Sequence, residues 1–343
     1  MAVTGNTTKT PAAVHREERD AATAWWTVAP GSGEFRRAPL PPRSDGEASV
    51  RTLWTGVSRG TESLVARGQV PVSERERMRA PFQEGEFPFP VKYGYLNVGV
   101  VEEGPPGVRG RTVFALYPHQ SRFVVPAEAL AVVPEGVPAR RAVLAGAVET
   151  AVNVLWDAGA LLGDRIVVVG AGMIGGAIAR VARGIPGADV TVVDVDESKR
   201  SVADALGVRF APAEGPIGEA DVVIESSGSA EGLQLALRAA PADGEVVVAS
   251  WFGDRPVPLE LGADFHSRRL AIRASQVGVV ASSRRSRRTT RDRLALALRL
   301  LQDPAFDALL GASSSWRQLP EVMAALADGT AGGLCHTFDW SAA

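Results

Sequence analysis

Hydrophobic positions change their period twice along this chain. From Trp25 to about Ala145 they fall in short runs, among them Val50–Thr55, Gly99–Glu102, Thr112–Leu116 and Ser121–Val125, parted by turns such as Gly104-Pro105-Pro106-Gly107. Short runs between Pro/Gly turns predict a β-rich block. Between Arg141 and Leu155 the spacing becomes helical, with Val143, Leu144, Ala147, Val148, Ala151 and Val154 as its apolar stripe. Apolar strands then alternate with helices: a strand at Ile166–Val169, a helix to about Arg183, strands at Val190–Val193, Val222–Ile224 and Val246–Ala249, and a helix near Leu233–Ala239. Such alternation predicts βαβ units on a parallel sheet. Beyond Arg291 a helix through Leu294, Leu296, Leu298 and Leu301 leads to another near Leu319–Leu326. The fold class is therefore α/β: a β-rich block, a doubly wound parallel block and a short return. Residues 1–22 are polar, threonine-rich and aperiodic, which predicts a mobile tail.

Composition narrows the function classes. Of 343 residues, 45% are hydrophobic and 22% charged, with a formal net charge of -2. That balance argues against disorder and against a nucleic-acid partner, which calls for a cationic excess. A single cysteine, Cys335, excludes an intrachain disulfide framework and a Cys-rich zinc site. The histidines (His15, His119, His266 and His336) form no H-E-x-x-H pairing. No apolar run reaches the ~20 residues of a membrane span, so no membrane partner is expected. The first 20 residues lack the apolar centre of a signal peptide, and a reducing cytoplasmic location is expected.

One motif carries chemistry by its context. Strand Ile166–Val169 runs into Gly170-Ala171-Gly172-Met173-Ile174-Gly175, and Asp194 ends the next strand, 19 residues beyond Gly175. Gly170 allows the tight turn, Gly172 lets backbone approach a pyrophosphate, and Gly175 lets helix and strand pack closely. The helix start offers free N–H groups and partial positive charge to phosphates. Asp194 can accept the ribose hydroxyls and repel a 2′-phosphate, which favours NAD over NADP. Lys199 and Arg200 follow closely and could tolerate a phosphate, but they suit a solvated helix better.

The block order and these motifs resemble the medium-chain dehydrogenase/reductase family over roughly residues 25–343. The resemblance rests on Gly56-Val57-Ser58-Arg59-Gly60-Thr61-Glu62, on Tyr93-Gly94-Tyr95-Leu96 followed by Gly99-Val100-Val101, and on the glycine motif with Asp194. The segments SRGTE, PVKYGYLNVG and LYPHQ are similar to a zinc-free, alcohol dehydrogenase-like subgroup and to bacteriochlorophyllide hydroxyethyl dehydrogenases. It implies a GroES-like domain at 23–148 and 280–343, a Rossmann NAD-binding domain at 149–279, and a C-terminus returning to the first. It also implies a cofactor lined by Thr150, Ser226, Ser227, Gly228, Ser250, Trp251, Phe252, Ser275 and Gln276, and a homodimer paired near Ala271–Gln276. Zinc-dependent members carry a Cys in the first motif, Gly-His-Glu in the second and a Cys or Glu near the domain junction. Here those places fall on Ser58 or Arg59, on Tyr95-Leu96, and at about Gly146. Serine, tyrosine and glycine do not make a Zn²⁺ site, and the four-cysteine structural lobe is missing too, so no metal is expected.

Without zinc, charge building on the alcohol oxygen needs hydrogen-bond donors and a proton acceptor. Tyr95 is the first candidate acid/base, its phenol lowered toward working pH by a cation such as Lys92 or Arg59; the competing assignment is a packed tyrosine. Glu149 lies on an apolar helix face, so it should face the cleft or bind Arg59. His119, on a proline-marked loop, can relay a proton or bind substrate, or be an ordinary loop histidine. Ser58 and Thr61 offer hydroxyls, although Thr61 with Glu62 also suits a helix cap. Cys335-His336 has no acid or glycine elbow and reads as structural. The run Arg284-Arg285-Ser286-Arg287-Arg288 reads first as a solvated loop, second as a cleft-edge attractor of an anionic substrate.

The leading expectation is a zinc-independent, NAD-dependent dehydrogenase acting on a small secondary alcohol or ketone. The alternatives are a redox-neutral enzyme (epimerase, dehydratase or cyclase) that retains NAD, an enone reductase, and a non-catalytic NAD(H)-sensing scaffold.

Overall fold

The computed structural model describes residues 21–343. The tail expected at 1–22 lies outside the described residues except for Ala21 and Ala22, which open the first strand. Strands Ala21–Ala29 and Ser32–Pro39 form an antiparallel hairpin, extended by Val91–Lys92 and Glu84–Gly85 into a four-stranded sheet. A seven-stranded sheet lies beside it, centred on Glu47–Gly56 with Asn97–Glu103 and Arg122–Pro126 as neighbours. The C-terminal strand Cys335–Asp339 pairs antiparallel with Glu47–Gly56 and parallel with Leu310–Ser315, so the chain end returns to the first block. Sequence periodicity missed both of these late strands, because LGASSS and CHTFD carry little alternation.

The second block is a six-stranded parallel sheet. Its order is Arg209–Pro212, Asp189–Asp194, Arg165–Val169, Val222–Glu225, Glu245–Val248 and Ala271–Ala274. This is the doubly wound order 3-2-1-4-5-6, with its switch point between Arg165–Val169 and Val222–Glu225. The run Arg-Ile-Val-Val-Val is apolar without alternation because both faces of a central parallel strand are covered. Ile166 and Val168 join a core with helices Ala145–Ala158 and Met173–Arg183, while Val167 and Val169 face helix Ala230–Ala239. The helix expected at Arg141–Leu155 is two, Ala139–Ala142 and Ala145–Ala158, parted by the fully buried Val143 and Leu144. No helix among the described residues is long and apolar enough to cross a membrane.

Close approaches join the blocks, among them those at Gly146, Gly253 and Trp251. A Cβ on Gly146 would come within 2.6 Å of Leu96 Cδ2, and one on Gly253 within 2.8 Å of Leu64 Cδ2. Trp251, on the loop after Glu245–Val248, packs against the first-block cluster of Val65, Val70, Phe87, Val91 and Tyr93, as Tyr95 does.

Candidate active site

The glycine loop has the three properties its spacing predicts. Gly170 adopts φ +103°, and a Cβ there would lie 2.6 Å from Ser227 N. A Cβ on Gly175 would lie 1.8 Å from Gly170 O, so strand and helix touch through bare backbone. Gly172 faces open space, with nothing within 4 Å of its ideal Cβ. It precedes helix Met173–Arg183, which has no capping side chain, and Met173 and Ile174 begin the first turn. Uncapped N–H groups facing open space suit a pyrophosphate.

Asp194 ties this loop to the neighbouring strand. Its Oδ2 accepts from Ala171 N at 2.6 Å and its Oδ1 from Asp196 N at 2.9 Å. A carboxylate oxygen has a second lone pair, so both remain able to take ribose hydroxyls. Lys199 pairs with Asp196 at 3.7 Å and Arg200 with Glu197 at 2.8 Å, so both nearby cations are already engaged.

The residues implied as cofactor lining divide. Ser226 spends its hydroxyl on Val169 O and Gly170 O, and Ser227 on Glu225 Oε1. Gly228 turns at φ +69° beside Ser250, and Trp251 and Phe252 follow on the same sheet edge. Thr150 bonds back to Gly146 O within its helix. Ser275 instead donates to Asp157 Oδ2 at 2.7 Å, and Gln276 is exposed and bonded to Gly278 N. Glu225, which the sequence reading passed over, is fully buried and shapes the loop by accepting from Ser227 N and Gly228 N, while its Oε2 has no protein partner. Its signal was a lone acid ending an apolar strand.

In the first block, the phenol of Tyr95 is within hydrogen-bonding reach of the Ser58 and Thr61 side chains. Burial pushes it up to about 12, the Glu62 charge adds to the rise, and the two hydroxyls oppose it. This corrects the expectation of a cation-lowered phenol. Lys92 is bonded to Glu84 and Gln120, and Arg59 is exposed and donates to Ala331 O and Gly333 O. Ser58 precedes helix Arg59–Arg67 without capping it, and Glu62 accepts the Ser58 N–H at 2.8 Å. Thr61 is therefore no cap.

Glu62 is the residue the sequence reading undervalued. Its Oε2 meets His119 Nε2 at 2.9 Å, and His119 Nδ1 meets Thr55 Oγ1 at 2.8 Å. Trp340 Nε1 donates to that same Thr55 oxygen at 2.9 Å. With Glu62 ionised, Nε2 carries the ring proton and Thr55 donates to Nδ1, so every donor has an acceptor. His119 is 1% exposed with both nitrogens engaged, so it braces Glu62. Glu149 differs from expectation. It pairs with Arg293 at 3.1 Å, both buried, and not with Arg59; burial pushes its carboxyl up while Arg293 pulls it down. Cys335 is buried and burial pushes its thiol up to about 12, as suits a structural residue.

A curated relative, the 2-dehydro-3-deoxy-L-galactonate 5-dehydrogenase of Pseudoalteromonas atlantica, is 29% identical over 153 residues. The match covers 41% of this chain and 44% of that protein, less than half its length. The crystal structure of acetophenone reductase from Geotrichum candidum in complex with NAD superposes with a TM-score of 0.73 at 18% identity, covering 97% of this chain and 98% of that one. A dehydrogenase of the zinc-binding type from Sinorhizobium meliloti, bound to NADP, gives 0.73 at 19% identity over 93% and 99%. No protein-family model matches. The chain has the medium-chain dehydrogenase fold.

Of the positions that the resemblance matches to zinc ligands, Ser58 lies near Tyr95, and a Cβ on Gly146 would come within 2.6 Å of Leu96 Cδ2. The side chains that meet there are hydroxyl, phenol and aliphatic. Among the described residues no group of three or more His, Cys, Asp or Glu side chains is arranged to hold a metal. Glu62 and His119 bond to each other, and to Ser58 N and Thr55 Oγ1.

Proposed function

We propose that this protein is an NAD-dependent medium-chain oxidoreductase that interconverts a secondary alcohol and its ketone without zinc, using Tyr95 as proton donor. The Tyr95 phenol, close enough to the Ser58 and Thr61 hydroxyls for them to lower its pKa, carries this reading, at the place where the resemblance puts the zinc ligands. The resemblance in sequence, the shared fold and the open Gly172 cradle support the dinucleotide; Asp194, with Lys199 and Arg200 engaged elsewhere, favours NAD over NADP.

Gly170, Gly172 and Gly175 would receive the pyrophosphate and Asp194 the adenosine ribose, leaving the other end toward Thr150 and Trp251. A bound nicotinamide ring supplies or accepts the hydride. In ketone reduction the carbonyl oxygen gains negative charge, and a neutral phenol is ready to neutralise it. A group pushed up to about 12 keeps its proton at neutral pH, so Tyr95 rests as an acid. An alkoxide is more basic still, so the proton moves downhill, and Ser58 and Thr61 can stabilise the phenolate until water reprotonates it. Phe87, Tyr93 and Trp251 give the substrate side an apolar, aromatic wall. The edge strand Ala271–Ala274, exposed along its length, is the surface for self-pairing.

A ketone screen following NADH absorbance tests this together with metal analysis of the active protein. Tyr95→Phe should lower kcat by ~10²–10⁴ while NADH binding is retained. Stoichiometric zinc in active enzyme, or a fully active Tyr95→Phe variant, would overturn the proposal.

A further inference from the structure

The arginine run does not line the dinucleotide cradle. The N–H groups of Arg284 and Arg285 bond to Ala281 O, and those of Arg287 and Arg288 to Arg284 O, winding the segment into successive turns. Side chains three and four apart share a face of such a coil, which gathers Arg284, Arg287 and Arg288 and leaves Arg285 aside. The coil is fastened to helix Ala145–Ala158: Asn153 Oδ1 accepts from Ala281 N at 3.0 Å, and Ser283 Oγ donates to Trp156 O at 2.9 Å. The three arginines face helix Thr290–Leu300 across an open cavity of about 550 Å³, lined also by Trp156, Asp292, Leu296 and Arg299. Trp156 stands ~9 Å of helix rise beyond Thr150.

The charges in this cavity are unmatched. Some exposed arginines take acid partners, as Arg165 does with Asp221 and Glu219, and Arg269 with Asp243. Among the described residues no ion pair or side-chain hydrogen bond engages Arg284, Arg287, Arg288 or Arg299. The one acid present, Asp292, is committed to its helix cap, accepting Thr289 N at 2.9 Å and Thr289 Oγ1 at 2.8 Å. Those bonds hold its carboxyl below the ordinary range, and the Arg288 and Arg291 charges add to the effect. Four guanidinium groups against one carboxylate leave a net of three positive charges.

Like charges held on an anchored coil repel unless a counter-anion joins them. Guanidinium forks match phosphate oxygens two at a time. One phosphate ester carries ~1.5–2 negative charges and would leave a surplus, whereas two linked phosphates balance the site. The volume lies in the ~300–1,000 Å³ range of ligand pockets, and Trp156 and Leu296 offer apolar wall for an appended group. We infer that this cavity binds a diphosphate group, either free pyrophosphate or the diphosphate of a nucleotide, at a site distinct from the dinucleotide cradle.

Calorimetric titration of the full chain with pyrophosphate, ADP and orthophosphate tests this. With the dinucleotide cradle filled by saturating NADH, pyrophosphate or ADP should bind one to one, at least ~10-fold tighter than orthophosphate and more weakly as salt rises. The double variant Arg287→Gln/Arg288→Gln should lose at least ~10-fold in affinity, because both bidentate forks go. These side chains are exposed, so an unchanged unfolding midpoint is expected; Trp156→Phe gives a second readout, removing any fluorescence change that pyrophosphate causes. ADP tighter than pyrophosphate assigns a nucleotide, and the reverse a free diphosphate. Orthophosphate bound equally well, an unaffected double variant, or loss of pyrophosphate binding in Gly172→Ala would overturn the inference, the last by moving the probe to the dinucleotide cradle.

Discussion

Glu62 and His119 hold each other in a closed pair, Oε2 to Nε2 at 2.9 Å, with 3% and 1% of their surfaces exposed. Glu62 also raises the Tyr95 phenol through its charge. Replacing the carboxylate with an amide of the same shape should therefore let the phenol ionise at lower pH. In Glu62→Gln the alkaline loss of ketone reduction should move to lower pH, with a stability cost of about 1–3 kcal/mol from the altered buried hydrogen bonds. Rate profiles from pH 8 to about 12 decide the matter, and an alkaline limb identical to that of the unmodified protein would count against the coupling.

Gly172 and Gly175 separate binding from folding. Alanine at Gly172 meets no atom within 4 Å, so the protein should melt normally yet bind NADH at least ~10-fold more weakly, its methyl group occupying the pyrophosphate approach. Alanine at Gly175 would press on Gly170 O at 1.8 Å and should destabilise by about 3 kcal/mol or more. Thermal melts beside NADH titrations check both, and the reverse pattern would contradict the assigned roles.

Glu149 and Arg293 form a buried pair, with Arg293 also donating to Asn153 Oδ1 and the Val277 and Val279 carbonyls. Glu149→Ala leaves that guanidinium uncompensated and should cost about 3–5 kcal/mol. Turnover per folded molecule should persist, because Glu149 faces helix Thr290–Leu300. Urea unfolding paired with active-site titration tests it; a tenfold drop in kcat with normal stability would restore a catalytic role.

Burial raises several groups that lose protons in alkali, the Tyr93 and Tyr117 phenols as well as Cys335 and Tyr95. Burial pushes Cys335 and Tyr95 each up to about 12, from ordinary values of 9.0 and 10.0. Above those ordinary values the unfolded chain releases protons that the folded chain keeps, so stability falls as pH rises through roughly 9 to 12, by up to about 1.4 kcal/mol per pH unit for each group. Urea midpoints between pH 8 and 10.5 should show this slope, reduced in Cys335→Ala. An equal slope in that variant would refute the assignment to the thiol.

Chain order alone determined the α/β class, the parallel block and the dinucleotide loop. These depend on near neighbours: a run of β-branched residues makes a buried strand, and Gly170, Gly172, Gly175 and Asp194 act within one βαβ unit. Even Ser58 and Tyr95 were legible, because each sits in a short motif. Tertiary structure alone decided which partner each charge found. Glu62 met His119 across 57 positions, Glu149 met Arg293 across 144, and Arg299 joined the arginine coil in one cavity. A buried charge is settled by whichever opposite group the packed fold delivers within a few ångströms, and that distance is not written in the spacing along the chain.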